Sequence, residues 1–445
     1  MSPTSILLYL DKFVKQKKNS IIKLVVSMEK LGLVLSGGGS KGAYEIGVYK
    51  ALKKLHIKPK IVTGTSIGAV NGVFIAQNDL RGALRYWAKL NFSTMYKEEE
   101  FPEIEEQKLS KIYKQYIKAF LNEGGLDTIK MKEMFGSFFK PRKFFKSDID
   151  YGLITYNFSK RKPVHITKKD LTKDNIRDYV LSSASCYPAF KPYIINNELY
   201  VDGGYYDNLP INLAIDLGAT KIIAVDLGSV GLKPKIKDES VEIRYINPRN
   251  KLPSFLLFDK KRAKDNIKLG YNDAMKTFGK LDGNIFTFKK RNLIKNYNKY
   301  NDLYEDNLNN FFRKTNNKLL SKIFETPIFK EVINRKTLYK NFNKIVENAG
   351  IIFKFDETNI YDIYSYNKGL LNMISNTEAI DLETIIKKIK SKNLKNMLDL
   401  RKITKFFYNG ITSNQKNIIK YIPLYTDEFL TALYIYTIKG KNITY

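Results

Sequence analysis

Gly64-Thr65-Ser66-Ile67-Gly68 is the segment most suited to nucleophilic chemistry. A G-x-S-x-G run on a sharp strand-to-helix turn holds a serine hydroxyl clear of the backbone. The following helix aims its N-terminal dipole at that hydroxyl, where negative charge would develop. The pentapeptide alone also fits an ordinary turn with Ser66 as a helix cap. A nucleophilic serine needs a base. The chain has only two histidines, His56 and His165. His56 precedes the serine turn, and His165 falls in a strand-like stretch between Lys162 and Lys168, so a histidine-based triad is disfavoured. Asp202 is the better candidate. It ends an apolar run at Val201, and Gly203 and Gly204 let the chain bend so that the carboxylate can point into a site. Partial burial would raise its pKa and make it a better proton acceptor. The same residues also read as the Asp-Gly turn of a hairpin.

A second glycine cluster, Ser36-Gly37-Gly38-Gly39-Ser40-Lys41-Gly42, literally contains G-x-G-x-x-G. A dinucleotide site would require an acidic residue about 20 residues onward, at the end of the next strand. That region reads Lys60-Ile61-Val62-Thr63-Gly64 and has no acid. Successive N–H groups at a helix N-terminus suit an oxyanion hole instead. Lys41 adds positive potential there, or is simply solvated.

The elements that must position these residues are legible in outline. Leu31 to Ser36 is an apolar run that reads as a buried parallel strand, followed by the glycine turn and a helical pattern through Leu55. Ile61 to Thr63, the serine turn and a second helix repeat the unit, the signature of a parallel α/β sheet. Asp150 to Phe158 alternates like a strand and can pair with Pro163 to Thr167. Asn175 to Ser185 reads as a helix, Tyr193 to Val201 as a hairpin around Asn196-Asn197, Ile211 to Leu217 as a helix and Lys221 to Leu227 as a buried strand. Residues 80–146 look helical, with an acidic patch at Glu98 to Glu106. Beyond about residue 230 apolar residues recur at helical spacing: Phe255 to Lys280, Asp302 to Phe324, Ile380 to Leu400 and Ile418 to Ile438.

The whole chain has 445 residues, 43% hydrophobic, with a formal net charge of +31. That length suggests more than one domain. The basic balance favours anionic surfaces, though abundant Lys beside Asn, Ile and Tyr also fits compositional drift. One cysteine, Cys186, excludes an internal disulfide framework. Residues 1–28 form a leader whose short apolar run, Ile6 to Leu10, precedes its lysines, opposite to the order in a signal peptide. It could lie on a membrane as a basic helix, or be dispensable with translation starting at Met28. No stretch reaches the roughly 18 apolar residues of a membrane span.

Taken together, these motifs resemble the patatin-like phospholipase family. SGGGSKGAYEIGVYKAL resembles its oxyanion loop and first helix, GTSIGAVNG its nucleophile elbow, and VDGGYYDNLPINLAIDLGATKIIAVDL its aspartate motif. SASCYPAFKP is similar to the Pro-containing loop just before that motif. The resemblance runs from about residue 29 to 228, and the segment Ile267 to Phe278 extends it weakly. It implies a three-layer α/β/α sheet, here with a mainly helical C-terminal extension. The expected organisation is a leader at 1–28, a catalytic domain at 29–285 and a basic helical region at 286–445.

The resemblance further implies a Ser–Asp dyad without histidine. Ser66 is then the nucleophile and Asp202 the base, with Gly37, Gly38 and Gly39 as the oxyanion hole. Lys41, Gly42, Gly64, Gly68, Gly203 and Gly204 support those motifs. Many members have Arg where this chain has Lys41, which keeps the charge but not the planar fork. The implied activity is hydrolysis of acyl esters of phospholipids and other lipids, with no metal or cofactor. The expected partner is lipid at an anionic membrane surface, with no nucleic acid, in a cytoplasmic or peripheral location. The rival readings are a soluble carboxylesterase with the same dyad, or a membrane- or RNA-binding protein with a vestigial site.

Overall fold

Leu31–Leu35, Ile61–Thr65 and Lys221–Val225 are buried almost throughout, so they show no alternation of apolar and polar residues. In a computed structural model, which describes residues 29–91, 121, 124–313, 338–381 and 399–440, they are central strands of an eight-stranded mixed sheet. The leader, the acidic patch and most of the helix expected over 380–400 lie outside the described residues. The chain divides into two compact units, Met1–Ala274 and Met275–Tyr445.

The strands of the first unit are β1 (Leu31–Leu35), β2 (Ile61–Thr65), β3 (Asp150–Asn157), β4 (Lys162–Thr167), β5 (Tyr193–Ile195), β6 (Glu198–Asp202), β7 (Lys221–Val225) and β8 (Glu242–Ile246). β3, β2, β1, β7 and β8 run parallel in that order, while β4 and β6 pair antiparallel to β3. β5 and β6 form the expected hairpin, and its turn residues Asn196 and Asn197 have φ of 49° and 61°. Asparagine tolerates that left-handed conformation better than most residues, which is why the pair is a good hairpin signal.

The helices are α1 (Ala43–Lys54), α2 (Ile67–Ala76), α3 (Leu80–Lys89), α4 (Ile129–Phe138), α5 (Pro141–Lys146), α6 (Ile176–Ser183), α7 (Ile211–Asp216) and α8 (Lys260–Thr277). One core joins side chains of α1 to α4 and α6 to Tyr151 and Leu153 of β3. A second joins Ile211 and Ala214 of α7 to Val34, Ile61, Ile222 and Ala224. Two separate cores on one sheet make the three-layer α/β/α arrangement. α1 and α8 touch backbone to backbone: a Cβ on Gly270 would stand 2.0 Å from the Tyr44 carbonyl oxygen. Beside that contact the Tyr44 hydroxyl donates to Asp273 Oδ2 at 2.9 Å.

The second unit contains a three-stranded sheet of β9 (Leu281–Asp282), β10 (Thr287–Lys289) and β11 (Ile360–Tyr361). Its helices are α9 (Asn292–Phe312), α10 (Leu338–Ile352), α11 (Ile363–Ser375), α12 (Leu400–Thr412) and α13 (Thr426–Ile438). α13 is buried nearly all round, and α9 to α12 all pack on it. Inside this core Tyr434 donates to Asn367 at 2.8 Å and accepts from Asn296 at 2.9 Å. The sequence reading placed only helices beyond residue 230, so β8 and this small sheet correct it. β8 is an edge strand with Glu242, Arg244 and Tyr245 exposed, and the others span two or three residues, too short for a period-two pattern. Among the described residues no helix is long and apolar enough to cross a membrane.

Candidate active site

β3 has two edges and three partners. β4 runs along Gly152 to Asn157, so β2 and β6 must share the other edge end to end. Thr65, the last residue of β2, sits opposite Ile154, and Asp202, the last of β6, sits opposite Thr155. Because β2 and β6 run in opposite directions, their C-terminal ends meet there. That register brings together Ser66 and Asp202, which are 136 positions apart in sequence.

Ser66 has φ 57° and ψ −127°, the strained turn that lifts a nucleophile off the sheet. Its amide donates to Ser183 Oγ at 3.0 Å, and the Ser183 hydroxyl donates to the Ile154 carbonyl at 2.6 Å. Thr65 Oγ1 donates to the Asp207 carbonyl at 2.7 Å, tying the end of β2 to the chain beyond Asp202. The two flanking glycines lie against each other: a Cβ on Gly64 would stand 2.3 Å from the Gly68 carbonyl carbon.

The Asp202 side chain is 5% exposed. It accepts a hydrogen bond from the Gly204 amide at 2.8 Å, and the Ser66 hydroxyl beside it favours its ionised form. Its own amide donates to the Ser185 carbonyl at 2.9 Å, so the Pro-containing loop anchors it. Burial pushes the carboxyl up to about 6, against the opposing pull of Ser66 and the Gly204 amide. A base poised near neutrality both holds its ionised form and accepts a proton readily.

Ser66 and Asp202 open onto a cavity of about 570 Å³. Tyr86, Leu90, Met131, Phe190, Leu256 and Phe258 give it an apolar wall. Val230, Leu232, Tyr205 and Phe255 also line it and are themselves exposed, so its rim is apolar too. Gly37, Gly38 and Gly39 all line the cavity. They differ in one respect: the Gly37 amide donates to the Asn208 carbonyl at 3.0 Å. No backbone acceptor takes the Gly38 or Gly39 amide among the described residues.

The supporting residues spread out from this centre. Gly203 and Gly204 form the turn after Asp202, while Gly42 begins α1 beneath the elbow. Lys41 is part-buried, which lowers its pKa, and its Nζ reaches Ser229 Oγ of the cavity wall at 3.5 Å. His165 lies on β4 opposite Ile154, and neither it nor His56 lines the cavity. Sequence reasoning missed Asn208 and Cys186 as wall residues. Asn208 stood six positions after Asp202, inside the quoted aspartate motif, and was legible as a buried polar neighbour.

Behind the glycine loop lies a buried polar triplet that the sequence reading also missed. Asn71 of α2 donates to Glu45 Oε2 at 2.8 Å and to the Gly42 carbonyl at 2.9 Å, and accepts from Trp87 Nε1 at 3.0 Å. Glu45 is fully buried, which holds its carboxyl well above the usual range and favours the neutral form. A neutral carboxyl can be replaced by an amide of the same shape. Glu45→Gln should therefore keep the melting temperature at pH 7. Glu45→Ala, which strands the Asn71 amide, should cost about 2 kcal/mol in urea unfolding followed by Trp87 fluorescence.

A three-layer α/β domain that presents a serine from a strained elbow against a buried carboxylate is what the fold and site define. Residues 33–215 match the family described as patatin-like phospholipase. Lysophospholipase NTE1 of Debaryomyces hansenii is 30% identical over 49% of this chain and 13% of its own length. Patatin-like phospholipase domain-containing protein 7 of Rattus norvegicus is 27% identical over 46% of this chain and 14% of its own. Neuropathy target esterase sws of Drosophila melanogaster is 31% identical, with 45% and 13% covered. The chain thus matches about one seventh of the length of these curated relatives. Among solved structures, VipD from Legionella pneumophila aligns with a TM-score of 0.38 at 13% identity, over 92% of this chain and 90% of that one.

Proposed function

We propose that the first unit is a serine lipid acyl hydrolase that cleaves carboxyl-ester bonds of phospholipids or lysophospholipids. The observation that carries this reading is the placement of Ser66 and the buried Asp202 carboxylate side by side at the wall of a large apolar cavity. An acyl chain matches such a cavity, and the ester carbonyl at its head would lie by the serine. The names of the curated relatives support the same substrate class.

The reaction follows from the geometry. Ionised Asp202 takes the Ser66 proton as Oγ attacks the ester carbonyl. The open amides of Gly38 and Gly39 hold the oxyanion. Collapse of the tetrahedral species breaks the ester bond, and the leaving alcohol takes the proton from Asp202. The acyl group is now on Ser66. Asp202 next takes a proton from water, the resulting hydroxide attacks the acyl-enzyme, and fatty acid leaves as Ser66 regains its proton.

The exposed apolar rim and the net charge of +31 support action at an anionic membrane surface. The test is fatty-acid release from anionic phospholipid vesicles, from neutral vesicles and from a dispersed short-chain ester. The expected result is faster turnover on anionic vesicles, loss of all activity in Ser66→Ala, and labelling of Ser66 by a fluorophosphonate. Equal rates on vesicle and dispersed ester would instead indicate a soluble carboxylesterase. Activity surviving in Ser66→Ala would sink the assignment.

A further inference from the structure

We propose that Asn208 is a further catalytic residue, whose side-chain amide donates a hydrogen bond to the oxyanion formed on the ester carbonyl. The inference rests on the hydrolase reading and adds a donor to it. Three observations lead there.

The first is a vacancy among donors. A glycine loop of three successive amides suggests three oxyanion contacts, but the Gly37 N–H is already given to the Asn208 carbonyl. The second is an orphaned group. Asn208 is 3% exposed, it lines the cavity, and its Nδ2 has no hydrogen-bond partner among the described residues. A buried donor without a partner is costly, so its retention at a cavity wall points to an acceptor supplied by a ligand. The third is position. The point where a Gly37 Cβ would stand lies 2.2 Å from Asn208 Oδ1 and 3.1 Å from Ser66 Cβ. The Asn208 carboxamide and the serine therefore come close together there, an approach that only glycine at 37 permits; Oδ1 takes the near position, while Nδ2 stands 3.1 Å from where a Gly231 Cβ would be.

The two ends of a carboxamide exchange by a half-turn about its last torsion, and its orientation follows whichever partners are present. Nδ2 gives up nothing by turning toward the serine, since it holds no bond where it stands. The rest of the residue is fixed. Its amide donates to the Leu232 carbonyl at 2.6 Å, its carbonyl holds Gly37, and Gly231 packs so closely that a Cβ there would sit 2.6 Å from Asn208 Cβ. The ground state has a neutral carbonyl, and the tetrahedral state has a full charge. A donor at this place acts mainly on the second, which is the condition for raising kcat.

The experiment compares the full-length wild type with Asn208→Asp and Asn208→Ala on p-nitrophenyl butyrate. Asn208→Asp keeps the shape and replaces the donor by an anion; Asn208→Ala removes the donor without adding charge. The expected result is a fall in kcat of about 10²- to 10³-fold in Asn208→Ala, and more in Asn208→Asp. KM should stay within about twofold, and the melting temperature should hold in Asn208→Ala. Affinity for an alkyl trifluoromethyl ketone, which binds as a tetrahedral oxyanion, should fall by the same factor as kcat. Wild-type kcat in either variant overturns the proposal. So does a kcat loss that travels with a lowered melting temperature and unchanged relative ketone affinity, which marks a structural role. If the wild type itself shows no Ser66-dependent turnover, the hydrolase reading has failed, a result distinct from either of those.

Discussion

Asp202→Asn should lower kcat by about 10⁴-fold, the upper end of what a general base contributes, and at the same time raise the melting temperature at pH 7. The activity loss follows from the base role, because an amide accepts no proton. The stability gain follows from burial. The Asp202 carboxyl sits at about 6 in the fold against an ordinary 3.8. A carboxyl whose folded value is raised costs stability once it ionises. That cost is absent below about pH 4, where both folded and unfolded states are protonated, and complete above about pH 6. At pH 7 it amounts to roughly 3 kcal/mol. The variant should therefore melt higher than wild type at pH 7 and match it at pH 3.5. The wild-type kcat/KM should rise with pH through a midpoint near 6 as Asp202 loses its proton. A variant that melts lower than wild type at pH 7, or a pH profile flat from 5 to 8, would show that Asp202 is not the strained base described.

How far the sequence foretold this arrangement depends on the range of the interaction. The serine elbow, the hairpin turn at Asn196-Asn197 and the helix–strand repeats are local, and their residues announce them. The meeting of Ser66 and Asp202 is not local. It depends on β2 and β6 dividing one edge of β3 between them, a register that no window of sequence contains. The motif resemblance supplied the pairing; the register supplies its physical reason. The consumption of the Gly37 amide was invisible for a similar cause, since its acceptor is the carbonyl of a residue 171 positions away. Spacing showed three equivalent glycines, and only the fold distinguishes them. β8 and β9 to β11 escaped because short or half-exposed strands carry too few buried positions to mark a period.

Gly68→Ala is expected to damage stability and catalysis together, because Gly68 is where the elbow rests on the glycine loop. A Cβ there would stand 2.5 Å from the Leu35 carbonyl oxygen and 2.8 Å from that of Ser36. Both are backbone atoms of β1 and its exit, and neither can swing aside as a side chain could. Relief requires α2 and the Gly37–Gly39 loop to move apart. Overpacking of this kind costs about 3 kcal/mol, and a misplacement of about 1 Å between nucleophile and oxyanion donors costs about 10²-fold in kcat. Gly136→Ala on α4 provides the contrast, since the atom nearest its Cβ would be the Arg177 guanidinium carbon at 3.4 Å, part of a flexible side chain. Alanine in a helix is worth roughly 0.5–1 kcal/mol over glycine, so that variant should gain stability and keep its kcat. The same substitution thus has opposite signs at the two positions. Urea unfolding and ester turnover of both proteins would measure them. Wild-type stability and kcat in Gly68→Ala would mean that the elbow and the glycine loop are not in the close backbone contact that places Ser66 beside its oxyanion donors.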